Sequence, residues 1–165
     1  MQFFNPFNIL SPNERWAPSK DQMEQFQNAY EKLLPPLVYK IRLAVEKWRD
    51  QDYAGASETS KSLLNFWFNQ EHLIGQSKFN FFFSQREAIE SIIYLYEVIK
   101  AKDKYELMRF DSSQRISTGM FDENWARYVV KMATGAGKTK VMGLALVWSF
   151  FHKMYETVRF RKTFW

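Results

Sequence analysis

The sequence predicts an α/β chain in which an aromatic, helical N-terminal region leads into one short strand, a glycine-bearing loop and a long helix. Three observations carry this. Apolar residues recur at helical spacing in Leu37, Ile41, Ala44, Val45 and Trp48, in Leu63, Leu64, Trp67 and Phe68, and in Ile89, Ile92, Ile93, Tyr96 and Ile99. Arg127-Tyr128-Val129-Val130-Lys131-Met132 is the one convincing strand, short and rich in β-formers. From Lys138 to Lys153 the helical period returns.

The elements follow in order. Residues 1–20 combine Asn, Pro and Phe without a period and are expected to form an extended arm. Ser19-Lys20-Asp21-Gln22 fits a capping box and opens a helix through Leu34, which Pro35-Pro36 must interrupt because neither proline has an amide to donate. A second helix then runs from Leu37 to about Asp50. A turn spans Gln51 to Ala56, and a third helix opens near Ser57 or Thr59. Residues 71–83 read as loop. Ser84-Gln85-Arg86-Glu87 supplies another capping box, with a helix after it. Lys100 to Ala126 is polar and mixed, an irregular insertion with a short helix around Tyr105 to Phe110.

The 165 residues suit one modest domain, and 46% hydrophobic with 18% aromatic content disfavours wholesale disorder. Without cysteine there is no disulfide framework, thiolate metal site or thiol nucleophile. His72 and His152 are too far apart in sequence to suggest a histidine-rich metal site; His72 reads as a local cap or packed side chain, and His152 as a cation near a helix end. The longest apolar run, Val141 to Phe151, is shorter than the roughly 18 residues of a membrane span. The N-terminus lacks a basic region ahead of its apolar residues, so no secretory signal is expected and the expected location is cytoplasmic. The net charge of +5 is unevenly spread: residues 1–100 hold 11 Lys and Arg against 12 Asp and Glu, and the remainder 12 against 6. A basic C-terminal part attracts phosphate or is simply a solvated face.

Ala133-Thr134-Gly135-Ala136-Gly137-Lys138-Thr139 decides between these. Between a strand and a helix, Gly135 and Gly137 let the backbone turn so that successive amides converge on a phosphate, and the helix adds its positive end. Lys138 can then reach the β- and γ-phosphates of ATP, and the Thr139 hydroxyl can ligate the Mg²⁺ that bridges them. The first glycine of the general pattern is replaced by Met132, leaving the A-T-G-x-G-K-T form usual in helicase-type motors.

Phe83 to Glu90, followed by Lys131 to Thr139, resembles the start of a superfamily 2 DEAD/DEAH-type motor. More narrowly, it resembles the helicase (Res) subunit of Type III restriction enzymes and related restriction-associated helicases. Trp48-Arg49-Asp50, Tyr53 to Ser57 and Leu63 to Phe68 are similar to the lead-in of that group, so the resemblance covers roughly residues 37–154. It implies a helical lead-in over 21–78 and the start of an incomplete RecA-like P-loop ATPase domain over 79–154 (first strand, P-loop and following helix); the tail over 155–165 departs from the family and is expected to be truncated or atypical. The resemblance implies ATP and Mg²⁺ as cofactors, held by Thr134, Gly135, Ala136, Gly137, Lys138 and Thr139 with Thr139 on the metal. Gln85 corresponds to the glutamine that reads the adenine edge, a task for which an amide has both donor and acceptor. Gln85 can equally be a solvated first-turn residue, and Phe82 or Phe83 can stack on the base or belong to the core.

The resemblance further implies an ATP-dependent DNA helicase or translocase of a restriction-modification or related defence system. DNA is the implied partner, a modification subunit a possible one, and no membrane is involved. No residue of this chain is assigned as catalytic: such motors need an acidic pair and arginine fingers, and the only acid after Thr139 is Glu156. Asp122-Glu123 reads as a surface turn. The chain alone is therefore expected to be inactive, as the N-terminal piece of such a motor. Arg159, Arg161 and Lys162 among Phe160, Phe164 and Trp165 have the composition of a single-strand contact or of a disordered basic tail. The rival reading is a nucleotide-dependent interaction module without ATPase activity; a small P-loop kinase fits less well, because the lid and acceptor segments are missing.

Overall fold

A computed structural model describes residues 37–101, 104–111 and 129–156. The expected arm, the helix through Leu34, most of the insertion, Asp122-Glu123 and the basic tail lie outside them. The residues fall into two units, with the division inside the first helix after Ala44.

Helix α1, Val38–Asp50, buries Val45 and Trp48, two members of the expected stripe, and carries Lys47 and Arg49 in its last turn, where a cation suits the helix dipole. It ends in a turn where Asp52 and Tyr53 adopt left-handed backbone at φ 51° and 56° and Gly55 does so at 82°. Only glycine does this without strain. Tyr53 is held there by burial and by its ring edge on Trp48, 4.9 Å away between centroids, while the Trp48 indole donates to the Ala54 carbonyl at 2.9 Å.

Helix α2, Glu58–Asn69, starts where the sequence indicates: the Ser57 hydroxyl accepts from the Ser60 amide at 3.2 Å. Beyond it, the expected loop over 71–83 is corrected. His72–Ile74 (β1) pairs antiparallel with Ser77–Phe79 (β2) across a tight turn at Gly75, whose φ is 63°. Strands of three residues are too short to show a period, and a lone hairpin is marginal in water. This one rests on an aromatic base, where Phe81 meets Phe79, Phe68 and His72 edge-on at 4.9, 5.5 and 6.0 Å.

Helix α3, Phe83–Ile93, begins earlier than the Ser84 capping box predicts. Phe82 is the capping residue, Ser84 lies within the helix, and the reciprocal arm comes from Gln85, whose Oε1 accepts from the Phe82 amide at 3.1 Å. Phe83, the first helical residue, and Glu87 are both buried on the inner side. Ile89 and Ile93 are wholly buried as expected. Tyr94–Val98 then widens into a π turn, closed by the Ile99 amide on the Tyr94 carbonyl at 2.9 Å, and this rotation leaves Tyr96 exposed rather than on the buried stripe. In the other unit, the short α4, Lys104–Met108, matches the expected helix of the insertion, and Lys40 donates to the Asp111 carbonyl at 2.8 Å.

Helix α5, Lys138–Glu156, packs against α2 and α3 through Val141, Leu144 and Trp148. Together they enclose a core of Trp48, Tyr53, Leu64, Trp67, Ile89, Ile93, Leu144 and Trp148. At its far end Glu156 accepts from the Thr59 hydroxyl and amide, which holds its carboxyl below the usual range. The opposite face of α5 exposes Met142, Leu146, Phe150 and Met154. Among the described residues no helix is long and apolar enough to cross a membrane.

The expected strand Arg127–Met132 is also corrected in its described part. Val129 to Met132 is not in a strand, Val129 is 89% exposed, and the hairpin is the only sheet among the described residues. A parallel strand exists only beside a hydrogen-bonded neighbour, and no described segment supplies one.

Burial separates two otherwise similar substitutions. Ile93→Ala is expected to lose about 2–5 kcal/mol in urea unfolding, whereas Leu146→Ala on the exposed face should stay within about 0.5 kcal/mol of wild type. Equal losses would mean that the exposed face of α5 is covered.

Candidate functional site

The loop from Ala133 to Gly137 is shaped by its glycines. Gly135 and Gly137 both sit at φ 80°, a conformation side-chain-bearing residues rarely adopt, and the Ala136 amide closes a turn onto the Ala133 carbonyl at 3.2 Å. The Gly137 carbonyl accepts from Lys140 at 2.9 Å and from Val141 at 3.3 Å, so α5 starts directly at the loop. The first-turn amides of an α-helix have no acceptor within it, and they carry the positive end of the dipole. Thr134, Gly135, Lys138 and Thr139 are exposed. The Lys138 ammonium donates to the Ala133 carbonyl at 3.0 Å, so its charge lies over the loop.

Gln85 is brought to this loop from α3. Its Nε2 donates to the Ala136 carbonyl at 3.1 Å, and the residue is 4% exposed. Gly137 makes the approach possible: a Cβ there would stand 2.2 Å from Gln85 Nε2. Both ends of the amide are engaged, one by the loop and one by Phe82, so Gln85 is not a solvated first-turn residue. Of its aromatic neighbours, Phe83 belongs to the core, with the Arg49 guanidinium 5.7 Å from its ring centroid, whereas Phe82 is 38% exposed. Lys140, in the first turn of α5, lies over the Phe79 ring at 4.8 Å and so joins the hairpin to the helix after the loop.

Two polar clusters escaped the sequence reading. Glu90, wholly buried, accepts from Arg49 Nε at 3.1 and 3.0 Å, from Tyr53 at 2.7 Å and from Arg86 Nε at 2.8 Å, and Arg86 also donates to the Tyr53 oxygen at 2.8 Å. Burial alone would lower Arg49, but the hydrogen bond and charge of Glu90 outweigh it and hold Arg49 raised. Burial pushes Tyr53 far up, with the Glu90 charge adding to the effect, so the phenol stays neutral and donates. In the second cluster, Glu97 accepts from the Ser57 amide at 2.9 Å and from the hydroxyls of Ser57 and Ser60, and lies 2.9 Å from His152 Nε2. The Trp148 indole donates to Ser60 at 2.8 Å. The only sequence signal for either cluster was charge at inward-facing helical positions. His72 turns out to be a local cap, its Nε2 meeting the Phe66 carbonyl at 2.8 Å.

The loop's donor set can be weighed against MgATP. The Lys138 ammonium lies over the loop, Thr134 and Thr139 are exposed, and nothing lies within 4 Å of the place a Gly135 side chain would fill, which suits a phosphate chain. Thr139 would offer its hydroxyl to the metal, Thr134 carries the loop's other side-chain oxygen, and no group of three His, Cys, Asp or Glu able to hold a metal occurs among the described residues. The residues therefore fit the binding of a magnesium-bound triphosphate but contribute no carboxylate to it.

The contact between positions 85 and 137 can be measured directly. Gly137→Ala is expected to destabilise the chain by more than the roughly 1–2 kcal/mol of left-handed strain alone. In a Gln85→Ala background only the strain should remain. Identical losses in the two backgrounds, measured by urea unfolding, would remove the contact.

A family model described as Type III restriction enzyme, res subunit, matches residues 78–161, just over half of the chain. No curated protein and no solved structure matches it. The matched segment begins on the hairpin and contains Gln85, the glycine loop and all of α5. It implies a RecA-like fold and a helicase-type, ATP-dependent function in a restriction system. The loop and Gln85 lie wholly inside that match, and the chain belongs to the Type III restriction enzyme res subunit family.

Proposed function

We propose that Thr134 to Thr139 form a Walker A site for MgATP in a helicase or translocase that acts on DNA, and that Gln85 reads the adenine. The observation that carries this reading is the seat of Gln85 on the loop: its buried amide rests on Ala136 in the space that Gly137 leaves. A turn that merely joined two elements would have no need of a glutamine amide from a helix far upstream. Bound MgATP supplies a phosphate chain whose negative charge seeks compensation. Lys138, now on the Ala133 carbonyl, would compensate the terminal phosphates, the loop and first-turn amides would donate to the phosphate chain, and the Thr139 hydroxyl would help hold the metal. Gln85 keeps Phe82 and Ala136 and would offer the second N–H of its Nε2 and the second lone pair of its Oε1 to the adenine edge.

Turnover needs acids to hold the metal and orient water, and arginine fingers worth roughly 10³–10⁵ in rate. Glu156, the only acid after Thr139, is at the opposite end of α5 and engaged by Thr59. The 165-residue chain is accordingly proposed to bind ATP and to hydrolyse it negligibly, with DNA as the partner of the complete motor activity and a modification subunit as a further one.

Lys138→Ala should weaken MgATP binding at least about tenfold, the loss of one charge-assisted contact, as read by calorimetry on this chain. Equal affinity in wild type and variant would exclude the loop. ATPase rates of the wild-type chain should remain near background with and without duplex DNA. DNA-stimulated turnover by this chain would overturn the inactivity proposed for it.

A further inference from the structure

We infer that the ring of half-buried Arg86 with buried Tyr53 and Glu90, braced by Arg49, positions Gln85 on the loop and so sets how sharply the site discriminates adenine from guanine. This rests on the nucleotide reading of the loop, and goes beyond it by assigning a role to residues that touch neither loop nor ligand.

The geometry is short-range. Arg86 comes directly after Gln85 in sequence, in the first turn of α3, and its guanidinium is fixed three ways: to Glu90 at 2.8 Å, to the Tyr53 oxygen at 2.8 Å and over the Phe68 ring at 5.1 Å. Tyr53 closes the ring by donating to Glu90 at 2.7 Å. Arg49 approaches the same carboxylate from the end of α1, so α3 is held against both sliding and rolling by groups from outside itself. Gln85 has little margin. With side chains about 5–6 Å from the helix axis, a roll of about 10° carries their tips about 1 Å. Its contact with Ala136 is 3.1 Å, so an outward shift of that size breaks it. An inward shift meets the Gly137 backbone, which already leaves no room for a methyl group.

Charge explains why the ring resists alternatives. Glu90 is completely enclosed, and Glu87, buried one turn earlier, adds its field to Arg49. The two arginines meet on the one carboxylate of Glu90, and a rearrangement of α3 that broke these pairs would strand a buried charge.

Calorimetry of the 165-residue chain with MgATP and with MgGTP tests the proposal on wild type, Gln85→Ala, Tyr53→Phe and the double variant. Glu90→Gln would strip two half-buried arginines of their counter-charge and threaten folding, so Tyr53→Phe is the informative change: it removes one hydroxyl and leaves both ion pairs. We expect it to reduce the ATP-over-GTP preference at least about threefold, toward that of Gln85→Ala. The double variant should match Gln85→Ala, because a positioning group then has nothing to position. An unchanged preference in Tyr53→Phe, or a further loss in the double variant, overturns the proposal and leaves the nucleotide site standing. A second readout needs no nucleotide: the side-chain amide resonance of Gln85, assigned by its loss in Gln85→Ala, should shift or broaden in Tyr53→Phe. An unmoved resonance overturns the proposal even if the wild-type chain binds neither nucleotide, a result that would itself remove the site reading.

Discussion

A carboxylate taken wholly out of water must be compensated where it lies, and Glu90 imposes that condition on most of its unit. Left unpaired, such a charge costs several kcal/mol even after the surroundings relax. Its donors come from three places: Arg49 at the end of α1, Tyr53 in the turn after it and Arg86 one helical turn back. The end of α1 must therefore reach α3, and the chain must double back at once to bring Tyr53 beside it. The left-handed backbone at Asp52 and Tyr53 is the local strain that this reversal demands. The contacts of Trp48 with Tyr53 and Ala54 hold the reversal in place.

Glu97 does for α2 and α5 what Glu90 does for α1 and α3. Its carboxylate gathers the cap of α2 through Ser57 and Ser60 and the body of α5 through His152, with Trp148 joined through Ser60. The same helices enclose the apolar core around Leu64, Ile89 and Ile93. Apolar contact supplies attraction but little direction, whereas the two polar clusters admit one rotation of each helix. The glycine loop is thus tethered to ordered structure on both sides: α5 continues from its end, and Gln85 reaches it from α3.

What could be read from the sequence was whatever repeats or has fixed local chemistry. The stripes of α1, α2 and α3, the Ser57 cap and the glycine loop before α5 all belong to this class, because helical period and capping act within a few residues. Longer-range features were hidden. Glu90 and Arg86 have the spacing of an ordinary surface ion pair, and only the approach of Arg49 and Tyr53 makes them interior. The hairpin lacks length for a pattern. Ser84 and Glu87 satisfy a local capping rule, but the helix starts at Phe83 with Gln85 accepting from the Phe82 amide. The β-rich run before the loop has the composition of a strand, but strand structure depends on a neighbour, which composition does not reveal. Gln85 was visible as a candidate; its seat on the loop depended on Gly137 being small, which is a matter of packing rather than of motif.

The π turn at Tyr94–Val98 gives this region a constraint of a different kind. A π turn amounts to one residue more than the α-helix needs, and it is this extra residue that swings Glu97 toward Ser57, Ser60 and His152. Deleting one residue between Tyr94 and Glu97 would close the π turn to a plain helix and change the angle at which Glu97 leaves it. The carboxylate would leave its cluster although no residue of the cluster had changed. Side chains along this stretch can be exchanged one at a time with graded effects, but its residue count cannot: in the lineage of this chain, insertions and deletions here would be far costlier than substitutions.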